Sequence, residues 1–238
     1  MTKPGSEPDA VAQRYARRAE HTPPDRYSAL QPDVWQTLQE RQRALLGMFR
    51  QQRITDVSAL RLTELGCGSG GNLLELLHLG FDPALLQGVE LLPERHAQAR
   101  RVLPDATRLW LGDAADPAKA TVEPASQDLV LQATVFSSIL DNAFQQRLAD
   151  TLWAWLKPGG AVLWYDFTVN NPRNADVRGV PLRRVRQLFP HGRVQARRVT
   201  LAPPVARAVC RAHPALYSVF NMLPLLRTHV LAWIAKPP

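Results

Sequence analysis

The run Thr63-Glu64-Leu65-Gly66-Cys67-Gly68-Ser69-Gly70-Gly71-Asn72 constrains this chain more than any other stretch. An extended segment, Ala59 to Leu62, leads into it, and a helical pattern (Leu73, Leu74, Leu76, Leu77) leaves it. A strand, a glycine turn and a helix N-terminus in that order predict the opening unit of an α/β fold and a cradle for a nucleotide-like ligand. Gly66, Gly68 and Gly71 also spell the G-x-G-x-x-G of a dinucleotide site, so the spelling alone leaves the ligand open. Glu64 narrows the choice. A carboxylate just ahead of the first glycine repels a pyrophosphate laid on the loop and favours a ligand that brings an ammonium group there.

Strand and helix patterns alternate along the rest of the chain. Strands are expected at 60–65, Leu85 to Glu90, 107–111, Asp128 to Gln132 and Ala161 to Phe167, and then at Arg193 to Leu201 and Thr228 to Ala235. Helices are expected at 71–79, from Pro93, from Asp141 to Leu156 and from Pro181 to Phe189. Repeated strand–helix units call for a mostly parallel sheet with helices on both faces. Upstream, residues 1–10 read as disordered from their composition, and 11–238 as one domain. Within it, 11–52 form a helical lid: Val11 to Glu20, a break at Pro23-Pro24, then a helix capped by Asp33. Residues 202–226 are an apolar, proline-rich helical insertion before the last strand. It suits a cap over the acceptor, a homodimer contact, a membrane-surface patch or plain packing on the body.

At 238 residues the chain has room for one full α/β domain with a small elaboration. The first twenty residues contain no apolar stretch of a signal peptide, and nothing approaches the ~20 apolar residues of a spanning helix. Cys67 and Cys210 give neither a disulfide framework nor a metal spacing, so the expectation is a cytoplasmic, bacterial-type protein with reduced thiols and no metal. A net charge of +8, mostly arginine and dense between Arg173 and Arg211, suits an anionic partner or a solvated arginine-rich surface.

In open α/β sheets the ligand lies at the carboxyl ends of the strands. Glu90 ends the second strand, where a carboxylate takes both hydroxyls of a ribose, and Leu91 follows it. Asp113-Ala114 follows the third strand, where an acceptor meets an adenine amino group. Gln132-Ala133-Thr134-Val135-Phe136-Ser137-Ser138 follows the fourth and faces the far end of the ligand and its reaction partner.

The order acidic-x-Gly-x-Gly-x-Gly, here Glu64 to Gly70, resembles motif I of class I S-adenosylmethionine (SAM)-dependent methyltransferases. Glu90, Asp113-Ala114 and Leu156-Lys157-Pro158-Gly159-Gly160 resemble the same family in the same order, over about residues 55 to 170 plus the last strand. SAM carries an α-amino group and a sulfonium and no phosphate, as Glu64 requires. The resemblance implies a Rossmann-like seven-stranded sheet with the last strand antiparallel, SAM as cofactor, and methyl transfer. It implies a cofactor site of Glu64, Gly66, Cys67, Gly68, Gly70, Asn72, Glu90, Leu91, Asp113, Ala114, Gln132 and Ala133. Tyr15-Ala16-Arg17-Arg18-Ala19 resembles the family's aromatic-basic lid, in which a tyrosine or arginine (here Tyr15 or Arg18) meets the methionine carboxylate.

For the acceptor, Trp164-Tyr165-Asp166-Phe167 and Asn171-Pro172-Arg173-Asn174 resemble bacterial methyltransferases linked with polysaccharide or secondary biosynthesis. Phe136, Tyr165, Asn170, Asn171, Arg173 and Arg178 are the expected acceptor contacts, the arginines suiting a phosphate or carboxylate. Asp166 is the first candidate base for an oxygen acceptor and His229 a weaker one. The expected acceptor is a small polar, sugar-like or anionic metabolite. An Asp/Asn-Pro-Pro-aromatic run for base amino methylation is missing, and neither cysteine is placed for C5 chemistry, which leaves RNA ribose methylation as the nucleic-acid alternative. A SAM-binding module without turnover is the non-enzymatic alternative, and Glu64 and Asp113 argue against a nicotinamide oxidoreductase.

Overall fold

The computed structural model describes residues 5–23, 25–116, 122–171 and 174–238. Two helices precede the sheet. Helix α1 (Glu7–His21) starts earlier than composition suggested, because Ser6 and Asp9 form a reciprocal capping box. Helix α2 (Pro32–Gln51) starts at Pro32 with Gln31 before it; Asp33, expected as the cap, sits inside the first turn.

Strands β1 (Leu62–Leu65), β2 (Leu86–Glu90), β3 (Arg108–Leu111), β4 (Gln127–Ala133) and β5 (Leu156–Phe167) are parallel. Helices α3 (Gly71–His78), α4 (Pro93–Val102) and α5 (Asn142–Trp155) connect them, and α6 (Leu182–Leu188) leads on to β6 (Arg193–Leu201). The last strand, β7 (Arg227–Ala235), runs antiparallel to both β5 and β6, giving the order β3-β2-β1-β4-β5-β7-β6. The order reverses between β1 and β4, so their carboxyl ends diverge and open a crevice.

The inner strands are apolar on both faces, as a sheet covered twice requires. Along β5, Val162 and Trp164 join one core with Phe136, Leu148 and Leu152, while Leu163 and Tyr165 join the other with Phe49, Leu73 and Trp233. Gly88 is demanded by this packing: a Cβ there would lie 2.7 Å from Cys67 Sγ and 2.8 Å from Leu109 Cδ2.

Residues 202–226 are helical, as expected, with α7 (Pro203–Ala212) and α8 (Leu216–Asn221). Ala206, Cys210 and Tyr217 close a small third core on Leu201. The Tyr217 hydroxyl accepts from the Leu201 N–H (3.3 Å) and the Thr37 hydroxyl (3.3 Å), tying the insertion to β6 and α2. Among the described residues no helix is long and apolar enough to cross a membrane.

Candidate active site

A cleft of about 760 Å³, measured out to its open mouth, lies over the carboxyl ends of β1 to β4. Its floor is Leu65-Gly66, its walls are Glu90 to Leu92, Asp113-Ala114 and Ala133 to Val135, and α1 covers it with Pro8, Val11 and Tyr15.

The glycine loop is shaped by backbone geometry. Gly66, Gly68 and Gly70 have φ of 64°, 57° and 89°, in the left-handed region that side chains with a Cβ resist. At Gly66 a Cβ would also collide with Val135 Cγ2 at 2.5 Å. At Gly68 it would meet only Arg95 Nη1, at 3.7 Å, so that glycine leaves open space over the loop. Gly68→Val is therefore expected to abolish detectable SAM binding. It should also cost about 1–2 kcal/mol in strain, from a β-branched residue at positive φ. Titration calorimetry and a urea melt check the two separately.

Glu90 holds two walls together. It is 5% exposed, and its Oε2 accepts from the Gly68 N–H and its Oε1 from the Leu92 N–H, each at 2.8 Å. A carboxylate oxygen has two lone pairs, so each retains capacity for a ligand hydroxyl. Asp113 accepts from the Ala115 N–H through Oδ1 (2.9 Å), fixing the turn after β3, and Ala114 lies beside it.

Glu64 lies behind the loop and not on the cleft lining. It is fully buried; Oε1 accepts from Asn72 Nδ2 at 2.5 Å, and Oε2 has no hydrogen-bond partner. Burial pushes its pKa up to about 8, against the pull of Asn72 and Arg41. Arg41 is itself tied to Glu75 at 2.8 Å. A buried carboxyl with one unmet oxygen beside a glycine loop is a fitting partner for a cationic group.

The lid is anchored by polar contacts. The Glu7 carboxylate accepts from the Leu140 N–H (2.8 Å) and from Arg14 (2.8 Å), and Arg14 also donates to the Ser138 carbonyl (2.9 Å). The Tyr15 ring has the Arg18 and Arg95 guanidiniums at 4.9 and 4.5 Å from its centre, and its hydroxyl is 3.4 Å from Ser138 Oγ. Arg18 Nε and Nη2 are buried without hydrogen-bond partners, as suits a residue that receives an anionic group.

Several expected contacts fall elsewhere. Cys67 points into the core against Gly88, where burial raises its thiol pKa. Gln132 is buried, donating to the Tyr165 carbonyl (3.4 Å) and accepting from the Val135 N–H (3.3 Å). Phe136 is fully buried with its ring centre 4.6 Å from that of Trp164, so it serves the core and not the acceptor.

Tyr165 points to the opposite sheet face. It shares a hydrogen bond with Thr200 Oγ1 (2.9 Å), lies under Arg41 and stacks on His229, with ring centres 5.0 Å apart. Burial pushes the tyrosine up to about 12. Burial, then Arg41, pushes His229 down to about 4, and its ring does not line the cleft.

Asp166 is also off the cleft lining. It is fully buried, burial pushes it up to about 7, and its oxygens accept from the Ser137 (3.1 Å) and Phe167 (3.0 Å) N–H groups. These bonds fasten the 3-10 turn Phe136–Ser138 to the end of β5, which is a positioning role in place of the expected base. Asn170 accepts from the Gly179 N–H (2.9 Å), the Asn171 carbonyl accepts from the Asn174 N–H (3.0 Å), and Arg178 donates to Asn142; Arg173 lies outside the described residues.

Sequence reasoning passed over Arg95 on the cleft lining, while Thr134 and Ser138 belong to the run expected to face the ligand. Thr134 has φ 59°, a strained state for a β-branched residue, held by its N–H to the Tyr165 carbonyl (2.8 Å) and its hydroxyl to the Ala133 carbonyl (2.7 Å). The sequence Ala-Thr-Val carries no turn signal that would expose such a conformation.

Residues 63–160 match the family described as "Methyltransferase domain". Over these residues the chain carries a methyltransferase domain, and its fold is that of the class I SAM-dependent methyltransferases. Its seven-stranded sheet with the last strand antiparallel is the one the family resemblance implied, and SAM is the family's cofactor. The chain is 30% identical over 166 residues to a trans-aconitate 2-methyltransferase of Afipia carboxidovorans, covering 69% of this chain and 57% of that protein. It is 30% identical over 114 residues to a tRNA N(3)-methylcytidine methyltransferase of Drosophila melanogaster, covering 44% of this chain and 33% of that one. The chain thus spans little more than half of one of these curated relatives and a third of the other. Among solved structures, a SAM-dependent methyltransferase from Mesorhizobium loti superposes with a TM-score of 0.59 at 18% identity, covering 82% of this chain and 96% of that one.

Proposed function

We propose that this chain transfers the methyl group of SAM to an oxygen atom of a small polar acceptor, a sugar-like or other secondary metabolite. The observation that carries the reading is the convergence on one cleft of the glycine loop, Glu90 and Asp113, under a helix whose Arg18 has unpartnered donors. In that cleft Glu90 is placed to take the ribose hydroxyls, Asp113-Ala114 to meet the adenine, and Tyr15 and Arg18 to meet the methionine carboxylate. The bound cofactor supplies an electrophilic methyl on a sulfonium. The protein's share is alignment and exclusion of water, which α1 provides by covering the cleft. Ala133 and Thr134, at the end of β4, border the space into which the acceptor oxygen must come, and Asp166 holds the 3-10 turn that forms its far wall.

Similarity to a trans-aconitate 2-methyltransferase supports a small-molecule acceptor. A second reading, an RNA acceptor, is favoured by the tRNA-modifying relative and by the net charge of +8. Micromolar, steeply salt-dependent RNA binding would bring it forward.

The test is equilibrium binding of SAM and of NAD, followed by a radiolabelled methyl-transfer screen over hydroxylated and carboxylated metabolites. Micromolar SAM affinity, no NAD affinity and a labelled small product are expected. NAD binding alone would sink the reading, and SAM binding with no product on any acceptor, RNA included, would make the chain a binding module.

A further inference from the structure

A second cavity of about 890 Å³, measured out to its open mouth, lies between the N-terminal ends of α5 and α6 and the chain leaving β5. Its walls carry three arginines, Arg178, Arg183 and Arg184, set among Asn142, Gln145 and Asn170, and no carboxylate. Among the described residues none of the three guanidiniums has a carboxylate within 4.0 Å. By contrast, Arg14 meets Glu7 and Arg41 meets Glu75.

Two of the arginines, Arg178 and Arg184, are held in place by neutral acceptors. Arg178 Nη2 donates to Asn142 Oδ1 (2.5 Å), Arg184 Nη2 to the Asn142 carbonyl (2.9 Å) and Arg184 Nε to Gln145 Oε1 (3.1 Å). Each bond fixes a planar fork without neutralising it, and the remaining N–H groups are left for an incoming anion. Burial and the neighbouring Arg178 both depress Arg184, so the cluster bears like-charge repulsion that an anion would relieve.

The cavity adjoins the cofactor cleft. The Arg178 N–H donates to the Ser137 carbonyl (2.8 Å), and the next residue, Ser138, lines the cleft, so the 3-10 turn Phe136–Ser138 lies between the two spaces.

We propose that this arginine-walled cavity binds the oxyanion, phosphate or carboxylate, of a small organic molecule. Two sources share that chemistry: the anionic end of the methyl acceptor, or a separate small anion held beside the turn. The first rests on the methyl-transfer reading; the second does not.

The test titrates inorganic phosphate and citrate into the full chain in a phosphate-free, low-salt buffer, with SAM titrated in parallel. Saturable anion binding and a rise in melting temperature are expected, with affinity falling about tenfold or more in the Arg183→Gln/Arg184→Gln double variant while SAM affinity holds. Should that variant fold poorly, Arg183→Gln alone carries the comparison, since Arg183 is exposed and has no hydrogen bond to another of the described residues; its expected loss is about threefold. A wild-type chain that binds SAM but neither anion, or variants that bind anions as the wild type does, would overturn the proposal. Anion binding without SAM binding would uphold the cavity and remove the methyl-transfer reading. With an anionic acceptor from the methylation screen, a raised KM at unchanged kcat in the variant assigns the cavity to the acceptor. Unchanged kinetics beside lost phosphate binding assign it to a separate anion.

Discussion

Glu90→Ala should weaken SAM binding by about a hundredfold or more while leaving a folded chain. The carboxylate has two jobs in the geometry. It accepts from the Gly68 and Leu92 N–H groups, which fixes the glycine loop against the wall after β2, and it offers its remaining lone pairs to the ribose hydroxyls. Hydrogen bonds to a charged group contribute about 1.5–3 kcal/mol each, so two lost ligand bonds amount to about 3–6 kcal/mol, or two to four decades of affinity. Alanine also leaves two backbone donors facing a gap, which should lower stability by about 1–3 kcal/mol. Glu90→Gln separates the effects. Its amide keeps the shape and one acceptor, and it should lose about tenfold in affinity with a smaller drop in stability. Titration calorimetry with SAM and a denaturant melt read both; wild-type affinity in the alanine variant would remove Glu90 from ribose recognition.

The second large effect is a pH dependence. In the folded chain Glu64 titrates near 8, against its ordinary 4.5. Between those values the native state keeps a proton that the unfolded chain has released, so stability falls as pH rises through the window and levels off above about 8. Glu64→Gln has nothing to titrate there. The difference in stability between variant and wild type should therefore move in the variant's favour, by on the order of 2 kcal/mol or more, between pH 5 and pH 9. Asp166, raised to about 7, acts in the same direction, and His229, lowered to about 4, acts in the opposite direction between its two pKa values; both are present in each protein and cancel in the comparison. Urea melts at the two pH values make the measurement, and a difference independent of pH would mean that Glu64 is not a buried acid. SAM affinity at pH 7 adds a functional reading: a tenfold or greater loss in the variant is expected if the carboxyl receives the cofactor's ammonium.

The α/β class, the strand count and the cofactor loop were legible because they depend on local signals. Glycines at positive φ, apolar runs of strand length and an acid at a strand end are written in consecutive residues. The acceptor side was far less legible. Phe136, Tyr165 and Asp166 sit next to one another in the expected site, yet alternation along β5 sends Tyr165 to one face of the sheet and Asp166 to the other, and Phe136 folds back onto Trp164. Cys67 sits inside the motif but is spent on filling the space above Gly88. Arg95 reaches the cleft from a helix surface that no short motif marks, and Thr134, although expected to face the ligand, does so through a strained turn that its sequence does not signal. The three arginines of the second cavity are contributed by a loop and the first turn of α6, whose approach to Asn142 and Gln145 spans about forty residues of chain, a separation that spacing rules do not read.

The sequence by itself determined the cofactor class and the sheet, because a glycine turn between a strand and a helix has one low-energy shape and because Glu64, Glu90 and Asp113 each stand at a strand end. Only the tertiary structure decided which side chains face the cleft. Face selection depends on how each strand end twists and on what the neighbouring layer already fills, and those are long-range packing outcomes. The same packing leaves Glu64 buried behind its own loop and gathers beside the site three arginines that have no carboxylate partner among the described residues.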